Sequence, residues 1–189
     1  MEREFWNDVA SKGAILGVLM LASNIFEQAM FLNGTMGRLS FVGIEAIVVF
    51  VIYVFLLFYF AKRHSLQYSK EEGFSYGKAF GYVLTLSLFT SVIVGLGSYI
   101  FTHFIIGYKE YVDGVLNLYT NIFSTIEVPA QMANTYEQLI DQIGSQPEPS
   151  LFAIIFASIR NYLLLGGFVG LIIAAVVKRE PNIFGDELE

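Results

Sequence analysis

The sequence predicts an all-α, polytopic membrane protein with four transmembrane helices and a helical extracytoplasmic insertion between the third and the fourth. Three observations predict it. First, 55% of the 189 residues are hydrophobic and only 15% are charged, against roughly 25% charged in soluble domains; mean hydropathy is +0.59. A water-soluble chain this apolar would expose large adhesive patches. Second, the apolar stretches 13–32, 41–61, 80–106 and 151–177 each reach the roughly 20 residues that cross about 30 Å of hydrocarbon. Third, the basic residues are sorted by side. Arg3, Lys12, Lys62, Arg63, Lys70, Lys78, Lys178 and Arg179 fall in the two terminal segments and the second connection. Only Arg38 and Lys109 fall in the other two connections. Eight against two, read with the positive-inside rule, places both termini in the cytoplasm of a multi-pass protein of a bacterial inner membrane. An even number of spans requires the same of the termini.

Taken in order, the lead 1–12 mixes acids and bases, and Phe5 and Trp6 beside Arg3 suit the headgroup region. No small-residue cleavage site closes the following apolar run, which reads as a retained span that also targets the chain. This first span carries Gly13 and Gly17 near one end and Asn24 and Glu27 near the other. Asn33-Gly34 is a turn signal, and with Thr35 it matches a glycosylation acceptor, a pattern common by chance. The short connection makes spans one and two an antiparallel hairpin. Span two is crowded with Val, Ile, Phe and Tyr. Its length, more than its propensity, assigns it to a lipid-facing helix. In the next connection Ser69 and Glu72 have capping-box spacing, Gly73 allows a break, and His64 reads as a surface histidine in the Lys62-Arg63-His64 cluster.

The third span is where the small residues concentrate. Gly73, Gly77 and Gly81 stand four apart, followed by Ser87, Ser91 and Gly95 at the same spacing. Residues four apart share a helix face, and a small-residue face lets a neighbouring membrane helix approach closely. Gly166, Gly170 and Ala174 repeat the spacing on span four, so a packed pair of spans three and four is expected, within one chain or between chains. Span three is longer than the hydrocarbon is thick and must tilt, kink near Gly95-x-Gly97 or project. The outer loop 107–150 holds an amphipathic helix beginning near Tyr111, a break at Pro129 and a second helix over 130–143. Six acids against one base give the loop a net charge of −5. That makes it a cap or a partner-binding face, not a binder of anionic lipid. The last residues, 180–189, read as a frayed tail.

Intramembrane ionisable groups are costly, face the bundle interior and pair. Here they gather in the outer half: Glu27, Glu45, His103 and Arg160, with Asn24 and Asn161. Arg160 either pairs with Glu27 or Glu45, or snorkels to water. Glu72-Gly73-Phe74-Ser75-Tyr76-Gly77-Lys78-Ala79-Phe80 resembles the Gly-(apolar)-Ser-(aromatic)-Gly-x-Ala-(aromatic) run of an uncharacterised bacterial family, domain of unknown function four-one-nine-nine, typical of Bacteroidetes. Phe5-Trp6 with Gly13 and Gly17, and the run from Gly166 to Lys178, extend the resemblance over nearly the whole chain. It implies four spans, a helical outer loop and a neighbourhood of envelope enzymes such as membrane glycosyltransferases. Gly107-Tyr108 stands where that family's loop begins with Asp-Pro. The resemblance brings no catalytic residues.

With no cysteine and two histidines at opposite membrane faces, no metal site or cofactor is expected. The net charge of −6 and the lack of a basic, aromatic-interleaved patch exclude nucleic-acid binding. No zincin, nucleophile-elbow, P-loop or dinucleotide motif is present. The reading is a non-catalytic accessory or scaffold of an envelope membrane complex, with the bilayer and a membrane-protein partner or second copy as its contacts. The alternative is a subunit of an oligomeric small-solute transporter or channel using the outer-half polar cluster; an enzyme acting on a lipid-linked substrate ranks last.

Overall fold

A computed structural model describes residues 2–32, 36–125 and 130–181. The Asn33-Gly34-Thr35 turn, the Pro129 break and the tail from 182 onward lie outside the described residues. The chain is all-α over the rest, apart from one isolated β-bridge. Its helices are α1 (Glu2–Leu32), α2 (Met36–Ser65), α3 (Tyr76–Ile100), α4 (Tyr108–Thr125), α5 (Ala130–Ser145) and α6 (Leu151–Val177), with a π-helical turn, Phe101–Ile106, continuing α3. Four of these, α1, α2, α3 with its π turn, and α6, are long and apolar enough to cross a membrane. The shorter α4 and α5 lie between the third and fourth.

The bundle is built around α3, which packs most extensively on α6 and next on α1. The reason is the size of its side chains. Ser87, Ser91 and Gly95 are buried, and α6 turns its own small residues toward them. A side chain at Gly95 would meet the Ile155 backbone at 3.0 Å and Ser158 at 3.2 Å, one at Gly166 would strike Ser87, and one at Gly170 would meet Val83 and Phe80. The Ser158 hydroxyl donates to the Ser91 carbonyl across this contact at 2.8 Å. Ala174 is fully buried one turn further on. On the other side α1 approaches through Gly13, against Phe89, and Gly17, against Ile93, while Gly97 of α3 receives Leu21. Gly77 and Gly81 take no part in the packing: no atom lies within 4 Å of a side chain built at either. The small-residue stripe of α3 therefore starts at Ser87: the first turns of the helix also meet α6, through Tyr76, Phe80 and Val83, but Gly77 and Gly81 stand on a different face from the buried Ala79, Tyr82 and Val83.

The outer helix is α2. Phe41, Ile44, Ile47, Val48, Val51 and Phe55 are exposed, whereas Tyr53, Leu57, Phe60 and Ala61 enter the core. These four recur at the helical spacing that makes one face. In α1 the helix begins at Glu2 rather than near Gly13. Val9 is fully buried in the same core cluster as Leu16, and Asp8 pairs with Lys12 one turn on, so the lead has both an apolar contact and an i,i+4 ion pair to hold it helical. The α-helix runs unbroken through Gly95-x-Gly97 to Ile100, and the regular ladder gives way only at the π turn beyond it. The Thr102 hydroxyl donates to the Ser98 carbonyl at 2.8 Å, competing with the regular backbone ladder, and Gly107 at φ +97° ends the turn.

At the opposite end, the start of α1, the end of α2, the start of α3 and the end of α6 converge. Gly73 takes φ +61°, after which Phe74 and Arg179 exchange two backbone hydrogen bonds of 2.8 Å. The Arg179 guanidinium donates to the Ser65 carbonyl at 3.0 Å, capping the negative end of α2. Ser75 and Ser150 cap the N-termini of α3 and α6. His64 is only 4% exposed, so the expectation of a surface histidine is corrected. Its ring stacks on Tyr82 at 4.1 Å, between Phe5, Tyr68 and Phe74: a flat ring completing an aromatic cluster is drawn inward despite its charged neighbours Lys62 and Arg63.

Candidate functional site

Toward the end of the bundle that carries α4 and α5, α1, α3 and α6 leave a cleft of about 400 Å³ between them. That lies within the roughly 300–1,000 Å³ of small-molecule sites. Its polar lining comes from all three helices: Asn24 and Gln28 of α1, Ser98 of α3, and Ser158, Asn161 and Tyr162 of α6. The register explains the convergence. Asn24 and Gln28 are one helical turn apart, and Ser98 continues the face of Ser91 and Gly95. Asn24 Oδ1 accepts two hydrogen bonds of 2.6 Å, from the Gln28 amide and the Ser98 hydroxyl. Gln28 is 8% exposed, and its Oε1 has no hydrogen-bond partner among the described residues. An unpaired acceptor of this kind costs about 1–3 kcal/mol when buried.

The carboxylates sit beside the cleft, on the α2 side. Ser23 donates to Glu45 Oε1 at 2.8 Å, and Glu45 Oε2 is buried without a partner among the described residues. Glu27 lies within electrostatic reach of Glu45 and of Tyr162. Tyr53 of α2 ties the layer together, donating to Ser87 at 3.2 Å and contacting Tyr162 ring to ring at 6.0 Å.

The structure thus brings together Asn24 and Asn161, and sets Glu27 and Glu45 beside each other. It leaves Arg160 out. Arg160 lies on the exposed face of α6 shared with Phe156 and Leu164, and among the described residues neither carboxylate forms a salt bridge with it. Of the two alternatives for Arg160, pairing with Glu27 or Glu45 and snorkelling, the exposed position suits the second. The helical register that buries Ser158 and Gly166 turns Arg160 outward, where its long side chain can reach the interface. His103 stands apart too, one turn beyond Ser98. It stacks on Tyr99 at 4.0 Å, and its Nε2 lies 3.3 Å from the Pro149 carbonyl and 3.4 Å from Glu148, joining α3 to the segment before α6.

Several polar residues of the sites were not singled out from the sequence. Gln28 and Ser98 extend patterns that were visible, the Asn24 spacing and the small-residue stripe. Ser23 and Ser158 were masked by apolar neighbours. At the opposite end of the bundle Asp8 accepts from the Tyr82 hydroxyl at 2.7 Å and pairs with Lys12, which also lies over the Phe60 and Tyr82 rings. Tyr82 is 74 residues from Asp8, too far for any local pattern to join them. Among the described residues, no three His, Asp or Glu side chains converge as metal ligands.

No curated protein and no solved structure matches the chain. Residues 12–179, which run from the Lys12 network through the clamp at Arg179, match the family described as protein of unknown function (DUF4199), and the chain belongs to that family.

Proposed function

We propose that the protein is a non-catalytic accessory of an envelope membrane complex, and that the outer-half cleft receives a hydrogen-bonding side chain from a partner membrane helix. The observation that carries this reading is the cleft between three long helices whose polar lining consists of the amides and hydroxyls of Asn24, Gln28, Ser98, Ser158, Asn161 and Tyr162. Such groups bind by hydrogen bonding. Among the described residues Tyr162 is the one titratable group in the lining, and the other polar groups there are amides and hydroxyls, which favours a binding role. In lipid, helix association depends on close packing and interhelical hydrogen bonds, and this cleft offers both. The asymmetry of eight basic residues to two supports a bacterial inner-membrane setting with both termini cytoplasmic.

Co-purification in a mild detergent tests the reading. Gln28→Leu and Asn24→Leu should each deplete one specific membrane partner relative to the unaltered chain, while leaving the chain itself folded. An unchanged partner set with both variants contradicts it. A second reading, a subunit of a small-solute transporter or channel, is favoured by one observation, the neighbouring carboxylates Glu27 and Glu45 in the same half of the bundle. A transported solute binds the folded state and raises its thermal stability; a partner-binding accessory shows no such solute dependence.

A further inference from the structure

At the opposite end of the bundle from the cleft, a second pocket of about 410 Å³ opens between the first turns of α1 and the segment after α2. Phe5, Trp6 and Tyr68 form its walls, His64 its floor, and Glu4 and Glu72 belong to its lining. The rings are set across one another. Phe5 meets Trp6 at 81° with centroids 5.5 Å apart, and His64 stands at 66° to Phe5 and 74° to Tyr68. This is a box, not a stack. Its floor is polar. His64 is 4% exposed, and its ring lies beside the Asp8 carboxylate and the side chain of Gln67, which also lines the pocket. Nδ1 is 3.2 Å from Asp8 Oδ2.

The chemistry of the walls selects the ligand. Aromatic faces attract weakly hydrated cations, and Tyr68 already holds the Lys78 ammonium 4.8 Å from its ring centroid. The lining contains two carboxylates and no lysine or arginine, which repels phosphate and other anions. A metal ion would need ligands that do not converge among the described residues. We propose that this pocket binds an alkylammonium group. Phe5 and Trp6 are residues suited to a membrane headgroup region, so the ammonium comes either from an ethanolamine-type lipid headgroup or from a soluble amine.

Trp6 is the sole tryptophan of the chain, so its emission reports the pocket directly. In nanodiscs of phosphatidylglycerol alone, tetramethylammonium and ethylammonium chlorides should change Trp6 emission saturably, and sodium chloride and neutral neopentanol should not. Glu72→Gln and Tyr68→Leu should each raise the half-saturating concentration by about threefold or more, as expected for loss of one cation-attracting group. Repeating the titration in phosphatidylethanolamine nanodiscs separates the sources. A response abolished there shows the lipid headgroup filling the box, and a response retained there shows a soluble amine as the ligand. Absence of a saturable response to both cations, or an equal response to neopentanol, overturns the proposal. So does wild-type half-saturation in either variant that keeps the wild-type thermal unfolding. The comparison of cation with neopentanol needs no variant and stands if both fail to fold.

Discussion

Phe74 and Arg179 are joined by two reciprocal backbone hydrogen bonds of 2.8 Å, which close the bundle at the end where the four long helices converge. The Arg179 side chain strengthens the closure by donating to the carbonyls of Ser65 and Tyr68 at 3.0 and 3.5 Å. Arg179→Ala should therefore lower stability by about 1–2 kcal/mol, the range for charge-assisted bonds to carbonyls at a half-buried site. Lysine should restore only part of it, since a single ammonium lacks the guanidinium fork. Gly73→Ala should cost more, because φ +61° disfavours a side chain and the added carbon meets the Arg179 carbonyl at 2.7 Å. Thermal unfolding in detergent measures both; wild-type melting of Gly73→Ala would remove the clamp from the account.

The contact between α3 and α6 makes a contrast between two glycines. Gly95→Leu forces a side chain against the Ile155 backbone, which cannot swing aside, and overpacking of this kind costs about 1–3 kcal/mol. Gly77→Ala adds a methyl where nothing lies within 4 Å, and alanine favours the helix, so stability should hold or rise. Equal melting temperatures for the two variants would contradict the packing.

The Asp8 carboxylate serves Lys12 and Tyr82 together. Asp8→Ala should destabilise the chain by about 1.5–3 kcal/mol, as loss of a partly buried, charge-assisted network does. Asp8→Asn should cost less, because an amide still accepts from the Tyr82 hydroxyl. Double-mutant cycles with Tyr82→Phe read the coupling directly, and additive effects would show that the hydroxyl and carboxylate act independently.

Arg160 is exposed and unpaired with the carboxylates, so Arg160→Gln should leave thermal stability unchanged. Glu45→Leu, which removes the acceptor of the Ser23 hydroxyl, should lower it. A loss with Arg160→Gln comparable to that of Glu45→Leu would restore the buried ion pair.

Hydropathy and length alone were sufficient for the four long helices and for the position of the helical insertion. The reason is that the bilayer thickness imposes one length on every span. The small-residue face of α3 was legible from Ser87 onward because spacing by four is a property of one helix. What the sequence withheld is rotation. Arg160 and Ser158 are two residues apart, yet one faces out and the other donates across the α3 contact, and only the packing of α6 decides which. His64 misled for a related reason. Its neighbours Lys62 and Arg63 point to an interface, but the ring's environment is set by Phe5, Phe74 and Tyr82 from distant parts of the chain.

The most direct test of the cleft as a partner site is site-specific photo-crosslinking in the native membrane. A photoreactive residue is placed at Asn161, on the lining of the cleft, or at Ile172, which is 70% exposed on the outer face of the same helix. The account predicts one discrete adduct from position 161 that Gln28→Leu abolishes, and none of that mass from position 172. The same adduct from both positions, or an adduct at 161 that survives Gln28→Leu, would contradict it.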